Sequence, residues 1–368
     1  MLRFLHAGDL HLCSSFSAFP PRIAAERRER LFVAFEQMLQ QALEHGAQMV
    51  LLAGDCFDTP APDPAAVSRF FGALAALPVP VVIAPGNHDY YDARGFWAPA
   101  NLPKNVYVFD RAELSCFPFD GLGVAVYGYA FLAETQGAVA IGYGSNLREE
   151  YVNVLLAHAD ITSPISAYAP LSAGQLERSG YTYAALGHVH RPTEPQRFGN
   201  TLAAYSGFLA GRGFDETGAG HALLVEVEEG KVRTSVIESD APRFERAEID
   251  CTGDENAELI RTRVRDFIEN AHLKPDTALR LTLTGDVGLG CHVDAAALTR
   301  LGESLALFEV EDKTVPLLDA AALEKAPTLQ GAFYRALLPR LQSEDAAVRA
   351  LAVEAFRAGL AALAGREV

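Results

Sequence analysis

The sequence predicts an α/β protein with a smaller α+β segment behind it. Two patterns carry that reading. Apolar runs alternate with amphipathic helices over roughly the first ninety residues, and short strands then follow in quick succession. With 49% hydrophobic and 21% charged residues, the chain has a globular composition, which excludes disorder, collagen-like repeats and a coiled coil. Its 30 glycines and 20 prolines call for many turns between short elements.

Leu2 to Ala7 is an apolar run stopping at Gly8-Asp9, as a buried parallel strand does. A helix is predicted from Glu26 to Glu44, where Leu31, Ala34, Phe35, Met38, Leu39, Ala42 and Leu43 recur at spacings of three and four. Met49 to Ala53 is the next strand, ending at Gly54-Asp55. A second helix is predicted over Pro64 to Leu77, with Pro64 suited to the first turn. Val79 to Ala84 leads into Pro85-Gly86-Asn87-His88-Asp89. Strand, helix, strand, helix, strand implies a parallel sheet with right-handed crossovers. Further strands are expected at Val106–Phe109, Gly123–Tyr129, Val152–Ala157, Tyr183–Leu186 and Thr201–Tyr205. A hairpin should pair Ala222–Val227 with Lys231–Ile237 across Glu229-Gly230. One mixed sheet, or two stacked sheets with helices outside, accommodates them all.

Past Pro242 the register changes. A strand (Arg246–Cys251), a helix (Glu255–Asn270) and a strand (Ala278–Thr284) make a small βαβ-like unit, and from about Gln330 the chain has helical spacing. The expected organisation is 1–244, 245–327 and a helical segment 328–368.

Thirty-one basic side chains against 47 acidic ones give a net charge of −16. Neither part compensates the other: residues 1–244 carry 17 basic and 26 acidic groups, the remainder 14 and 21. That balance argues against a protein that coats nucleic acid by bulk electrostatics, although bound divalent ions can supply positive charge locally. The five cysteines are scattered with no C-x-x-C pair, which argues against a disulfide framework or zinc ribbon and for a reducing compartment. No run of 18 uncharged apolar residues is present and the N-terminus lacks a signal-peptide core, so the expected location is the cytoplasm, with no membrane.

Chemistry-bearing residues collect after five apolar runs: Asp9-Leu-His11, Gly54-Asp55, Gly86-Asn87-His88-Asp89, Ala157-His158 and Gly187-His188-Val-His190. Ligands of open α/β sheets bind at the carboxyl ends of strands, where such loops converge. Carboxylates, an amide and imidazoles form a mixed oxygen/nitrogen set suited to Mn²⁺, Fe²⁺ or Zn²⁺. Half of the ten histidines lie in these motifs. His6, His45, His221, His272 and His292 read as structural residues, with His6 closest to a motif.

The ordered series D-x-H, G-D, G-N-H-D, H, G-H-x-H resembles the calcineurin-like metallophosphoesterase superfamily. Three segments, His6-Ala-Gly-Asp-Leu-His-Leu12, Ala53-Gly-Asp-Cys-Phe-Asp-Thr59 and Gly187-His-Val-His-Arg-Pro192, are most similar to SbcD/Mre11-type DNA-repair exonucleases, nearest the bacterial YhaO-type branch. The resemblance covers about residues 1–240. It implies a four-layer α/β/β/α sandwich of mixed sheets with a C-terminal capping domain. It also implies two divalent ions, most fittingly Mn²⁺: Asp9, His11 and His190 on one, Asn87, His158 and His188 on the other, and Asp55 bridging. Two such ions activate water and clamp phosphate oxygens for in-line attack. His88 would orient the phosphate or protonate the leaving oxygen, and Asp89 would orient His88 or a ligand. Arg191 and Arg212 are candidates for supporting or phosphate-contacting roles, each set against an ordinary solvated arginine. Two departures stand out: Asp58 replaces a histidine of archaeal and eukaryotic relatives, and Tyr205-Ser206-Gly207 replaces Tyr-Pro-Gly.

The resemblance thus implies a DNA exonuclease, with single-strand endonuclease activity as an extension. A Rad50/SbcC-like ATPase would dock on the C-terminal helices, and there is room for a homodimer. Arg261, Arg263 and Arg265 in the capping unit offer basic contacts but are split between helix faces. The alternative enzyme reading is a small-molecule or cyclic-nucleotide phosphodiesterase. A Ser/Thr phosphatase is disfavoured because Asp58-Thr-Pro60 stands where those enzymes have Asp-Arg-Gly. A scaffold without metals would need a replaced ligand, and every ligand position is filled.

Overall fold

The computed structural model describes residues 1–142, 147–288, 291, 293–316 and 320–363. His292 and the last five residues of the expected helical segment lie outside them. The chain divides into two compact units, 1–244 and 245–368.

In the first unit, the alternating region folds as β1 (Leu2–Ala7), α1 (Pro21–Glu44), β2 (Val50–Leu52), α2 (Pro64–Ala75), β3 (Val81–Ile83) and β4 (Val106–Val108). There follow β5 (Ser115–Phe119), β6 (Val124–Gly128), β7 (Val152–His158), α3 (Ala173–Ser179), β8 (Tyr183–Gly187), β9 (Gln196–Phe198), β10 (Thr201–Tyr205), and the hairpin β11 (His221–Glu228) and β12 (Lys231–Glu238). They build two six-stranded sheets, ordered β12-β11-β1-β2-β3-β4 and β5-β6-β7-β8-β10-β9. Strands β1 to β4 are parallel and β11 joins antiparallel to β1. In the second sheet β6, β7, β8 and β10 are parallel, with antiparallel β5 and β9 at the edges. The expected α/β class with stacked mixed sheets is what forms.

Side-chain alternation explains the stacking. Leu2 and Phe4 of β1 join Leu51, Val82, Val126, Leu156, Tyr183 and Ala185 in one apolar core drawn from both sheets. The opposite face of the second sheet buries Leu155, Ala157 and Leu186 with Leu176 of α3. Helix α1 lies against β1 and β12 and stacks Phe35 on Phe70 of α2, with ring centroids 5.2 Å apart.

Some elements escaped the sequence reading. Helix α1 begins five residues before the predicted start, because Pro20-Pro21 reads as a turn while Pro21 is a good first-turn residue. Strand β5 contains Pro118, which a central strand excludes but an edge strand tolerates.

The second unit carries β13 (Phe244–Asp250, entering from the last residue of the first unit), α4 (Ala257–Asn270), β14 (Ala278–Thr284), β15 (Asp286–Val287), α5 (Ala295–Thr299), β16 (Leu307–Asp312) and β17 (Val315–Pro316). Helices α6 (Ala320–Lys325), α7 (Leu329–Leu341) and α8 (Ala346–Leu363) complete it. The three-stranded sheet is ordered β13-β14-β16. The acidic strand β16, paired parallel to β14, was not foreseen. Arg263 of α4 is held by Asp254 at 2.7 Å, which removes it from the expected basic contacts. No helix among the described residues is long and apolar enough to cross a membrane.

One buried contact joins the sheets beside the strand ends. His6, fully buried in β1, places Nε2 3.1 Å from the Leu186 carbonyl and Nδ1 3.0 Å from the Tyr183 hydroxyl of β8. A carbonyl only accepts, so Nε2 carries the proton and Nδ1 accepts from the tyrosine. Burial lowers the His6 pKa to about 4, against the pull of the Leu186 carbonyl. The folded protein therefore keeps His6 neutral while the unfolded chain takes up a proton below pH 6.5. Its contribution is complete above pH 6.5 and is lost as the pH falls toward 4, amounting to about 3 kcal/mol. Urea unfolding in chelator should show that acid slope in the native sequence and a correspondingly flatter one in His6→Gln.

Candidate metal centre

The carboxyl ends of five strands deliver the site. Asp9 and His11 follow β1, Asp55 and Asp58 follow β2, Asn87 to Asp89 follow β3, His158 ends β7, and His188 and His190 follow β8. The turns press together closely. A Cβ on Gly86 would sit 2.2 Å from Asp55 Oδ1, and one on Gly187 would sit 1.9 Å from the Ala53 carbonyl oxygen. Only glycine permits that approach. Four non-glycine residues adopt positive φ here: Asp9 (49°), His11 (43°), Asp55 (50°) and His188 (103°). Such strain persists where surrounding contacts over-determine it, and it concentrates at functional sites.

Asp9, His11 and His190 form the first donor group, with ligand atoms all within 4.8 Å of one another. The His11 and His190 Nε2 atoms face each other at 3.2 Å, and His190 Nε2 is 3.8 Å from Asp9 Oδ1. Asp9, Asp55 and His158 form the second group within the same limit. His158 Nε2 is 2.9 Å from Asn87 Oδ1 and 3.5 Å from Asp55 Oδ2, and its Nδ1 is fixed on the Ala53 carbonyl at 2.9 Å. Asp55 Oδ2 also lies 3.8 Å from His11 Nε2, so this carboxylate stands between the groups. His188 belongs to neither group. Its ring lies 5.2 Å from that of His158 and 4.9 Å from Tyr168, while its backbone amide donates to the Asp9 carboxylate at 3.1 Å.

His88 stands at the rim with its side chain 40% exposed and its Nδ1 3.5 Å from Asp58 Oδ1. Its ring meets that of His11 edge-on at 4.9 Å, and its backbone amide donates to Asp55 Oδ1 at 2.9 Å. A third group, His11, Asp58 and His88, therefore overlaps the first.

The three supporting candidates lie in different surroundings. Asp89 is fully buried and accepts backbone N–H bonds from Gly86 (2.8 Å), Asp55 (3.2 Å), Cys56 (2.7 Å) and Phe57 (3.3 Å). Those otherwise unsatisfied amides draw the carboxylate under the turn, so it fixes the chain at Asp55 while Asp58 is the carboxylate beside His88. Arg212 is neither a solvated side chain nor a free phosphate hand: it binds Asp58 and Glu216, both at 2.9 Å. Arg191 is exposed. Sequence reading gave no site role to Asp58 or Glu216. Asp58 had a signal, since it lies three residues after Asp55 on the same turn. Glu216 had none beyond its nearness to Arg212.

Electrostatics fit a cation site. Burial pushes the Asp55 carboxyl up, but His158, His11 and His88 outweigh it and hold the group below its usual value. Burial lowers His11 despite Asp58, and burial together with His158 lowers His188, so both favour the neutral, ligating form. Burial and the adjacent Asp55 push Asp89 up to about 7. Asp9 and Asp55 are 1% and 2% exposed, and carboxylates so buried are normally paired or coordinate metals. Oxygen and imidazole donors without thiolate suit hard-to-borderline divalent ions, so the residues present fit a metal pair.

A family model described as calcineurin-like phosphoesterase matches residues 2–192. The chain is 28% identical over 296 residues to an uncharacterized metallophosphoesterase, YhaO, of Bacillus subtilis, covering 77% of this chain and 72% of that protein. It is 25% identical over 293 residues to the DNA double-strand break repair protein Mre11 of Methanopyrus kandleri, covering 72% and 62%. With the SbcD component of the SbcCD nuclease of B. subtilis the figures are 25% over 272 residues, 62% and 66%. The chain spans half the length of two further archaeal Mre11 proteins.

Removing the Asp89 carboxylate should loosen the turn that carries Asp55. Asp89→Ala leaves four backbone amides without their acceptor, and denaturant unfolding should register a loss of about 3 kcal/mol. A stability unchanged from the native protein would contradict this role.

Proposed function

Because the chain belongs to the calcineurin-like phosphoesterase family and is a metal-dependent hydrolase, we propose that its substrate is DNA, cleaved at phosphodiester bonds as an exonuclease with single-strand endonuclease activity as an extension. The observation that carries the reading is two donor groups that share Asp9, with Asp55 standing between His11 and His158, beside a half-exposed imidazole. The DNA-repair names of the Mre11 and SbcD relatives support the choice of polymer.

In this reading Asp9, His11 and His190 would hold one divalent ion, Asn87, His158 and His188 the other, and Asp55 would be shared. Bound there, a pair of ions, Mn²⁺ for preference, supplies Lewis-acid activation of water and neutralises charge on the phosphate. The chain's own residues do the rest. Asp55 keeps the donor groups adjacent, and its Oδ1 takes the His88 backbone N–H, which fixes the imidazole's base at the rim. His88, at the rim, would donate its proton to the leaving oxygen. Asp58, 3.5 Å from His88 Nδ1, orients the ring.

For partners, we infer an SbcC/Rad50-like ATPase docking on α7 and α8, whose Leu329 and Leu351 are 70% and 68% exposed, a homodimer, and a cytoplasmic setting. The net charge of −16 favours a second reading, a small phosphodiester such as a cyclic nucleotide, because it repels a polyanion.

Purified protein with Mn²⁺ should release nucleotides from end-labelled DNA. His88→Ala should lower turnover by about 10²–10⁴-fold with metal content intact, whereas Asp55→Asn should lower both. Unimpaired turnover in His88→Ala removes the acid role. Hydrolysis of cyclic nucleotides alone, under matched metal, selects the second reading.

A further inference from the structure

The first donor group depends on two imidazoles presenting the same nitrogen inward. His11 Nδ1 is 3.0 Å from Asp58 Oδ1, and His190 Nδ1 is 2.6 Å from Glu216 Oε1. A carboxylate only accepts, so each Nδ1 carries a proton, and in the neutral ring that leaves the Nε2 lone pair for a cation. The 2.6 Å contact settles this for His190 although Arg212 Nη2 also lies 3.1 Å from its Nδ1.

What fixes those two carboxylates is one guanidinium. Arg212 Nη1 reaches Asp58 Oδ1 at 2.9 Å, and Nη2 reaches Glu216 Oε1 at 2.9 Å. Its Nε and backbone amide both take Glu216 Oε2, at 3.3 and 2.8 Å. The loop is shut tightly around this contact: a Cβ on Gly211 would lie 2.1 Å from the Glu216 carbonyl oxygen. Glu216 is 7% exposed, so its charge has little water to fall back on.

We propose that Arg212 is the positioning residue of the first metal, a clamp that holds Asp58 and Glu216 and through them points His11 and His190 Nε2 at one ion. This rests on the metal-centre reading above. Each carboxylate alone can swing about its side-chain torsions; a planar fork bonded to both removes that freedom. Lysine has the charge without the fork and cannot bridge them in this way. Arg212 is thereby committed to the protein, and substrate phosphate is left to the ions and His88.

The test is Mn²⁺ titration of metal-free, full-length protein, followed by the paramagnetic resonance of the free ion. The native protein should bind two equivalents. In Arg212→Gln, Arg212→Lys and Glu216→Gln, one equivalent should weaken by about 10–100-fold while the other keeps its native affinity. Melting of the metal-free variants identifies any that does not fold, and the isosteric Glu216→Gln then carries the test. Native affinity for both ions in the folded variants overturns the clamp, as does an equal loss at both sites that tracks melting temperature. A native protein that binds no Mn²⁺ overturns the metal centre and the clamp together.

Discussion

Everything at the centre follows from two carboxylates, Asp9 and Asp55, held almost out of water at the seam between two sheets. Burying a charge is costly unless opposite charge and hydrogen bonds meet it. The side chains that hold Asp55 ionised are imidazoles, and an imidazole that serves as a ligand is neutral. The surplus negative charge is therefore a demand for cations, and the alternating oxygen and nitrogen donors set which cations answer it. Backbone amides of His88 and His188 meet part of the demand, so the strands also brace the side chains they deliver.

The fold makes that arrangement by simple means. Parallel strands of both sheets deliver their closing turns to one place, and glycines at positions 86 and 187 let those turns touch. Asp89 ties two of those turns through their amides, and His6 joins β1 to β8 three residues before Asp9. Three layers of contact follow in order: the candidate ligands His11 and His190, then Asp58 and Glu216 against them, then the Arg212 guanidinium bonded to both carboxylates.

How far the sequence foretold this depends on how local the cause was. Strands β1 and β10 were placed to the residue, because an uninterrupted apolar run closed by a polar turn has few other readings. The candidate ligands were readable for the same reason, since each sits directly after such a run. What escaped was set at long range. Glu216 lies 26 residues after His190 and meets it only because the loop after β10 folds back. Asp58 meets His11 from 47 residues away. Arg212 could be named as a supporting candidate from its loop, but its partners Asp58 and Glu216 could not. Edge strands β5 and β9 lack the buried periodicity of their neighbours and were missed, whereas the hairpin β11–β12 announced itself through Glu229-Gly230.

The proposed chemistry stands on a pair of cations sharing Asp55. Anomalous diffraction at the manganese edge, from crystals grown with Mn²⁺, tests it most directly. Two peaks about 3.5–4 Å apart are predicted, one against Asp9, His11 and His190, the other against Asn87, His158 and His188, with Asp55 touching both. A single peak, or two that leave Asp55 unligated, would contradict it.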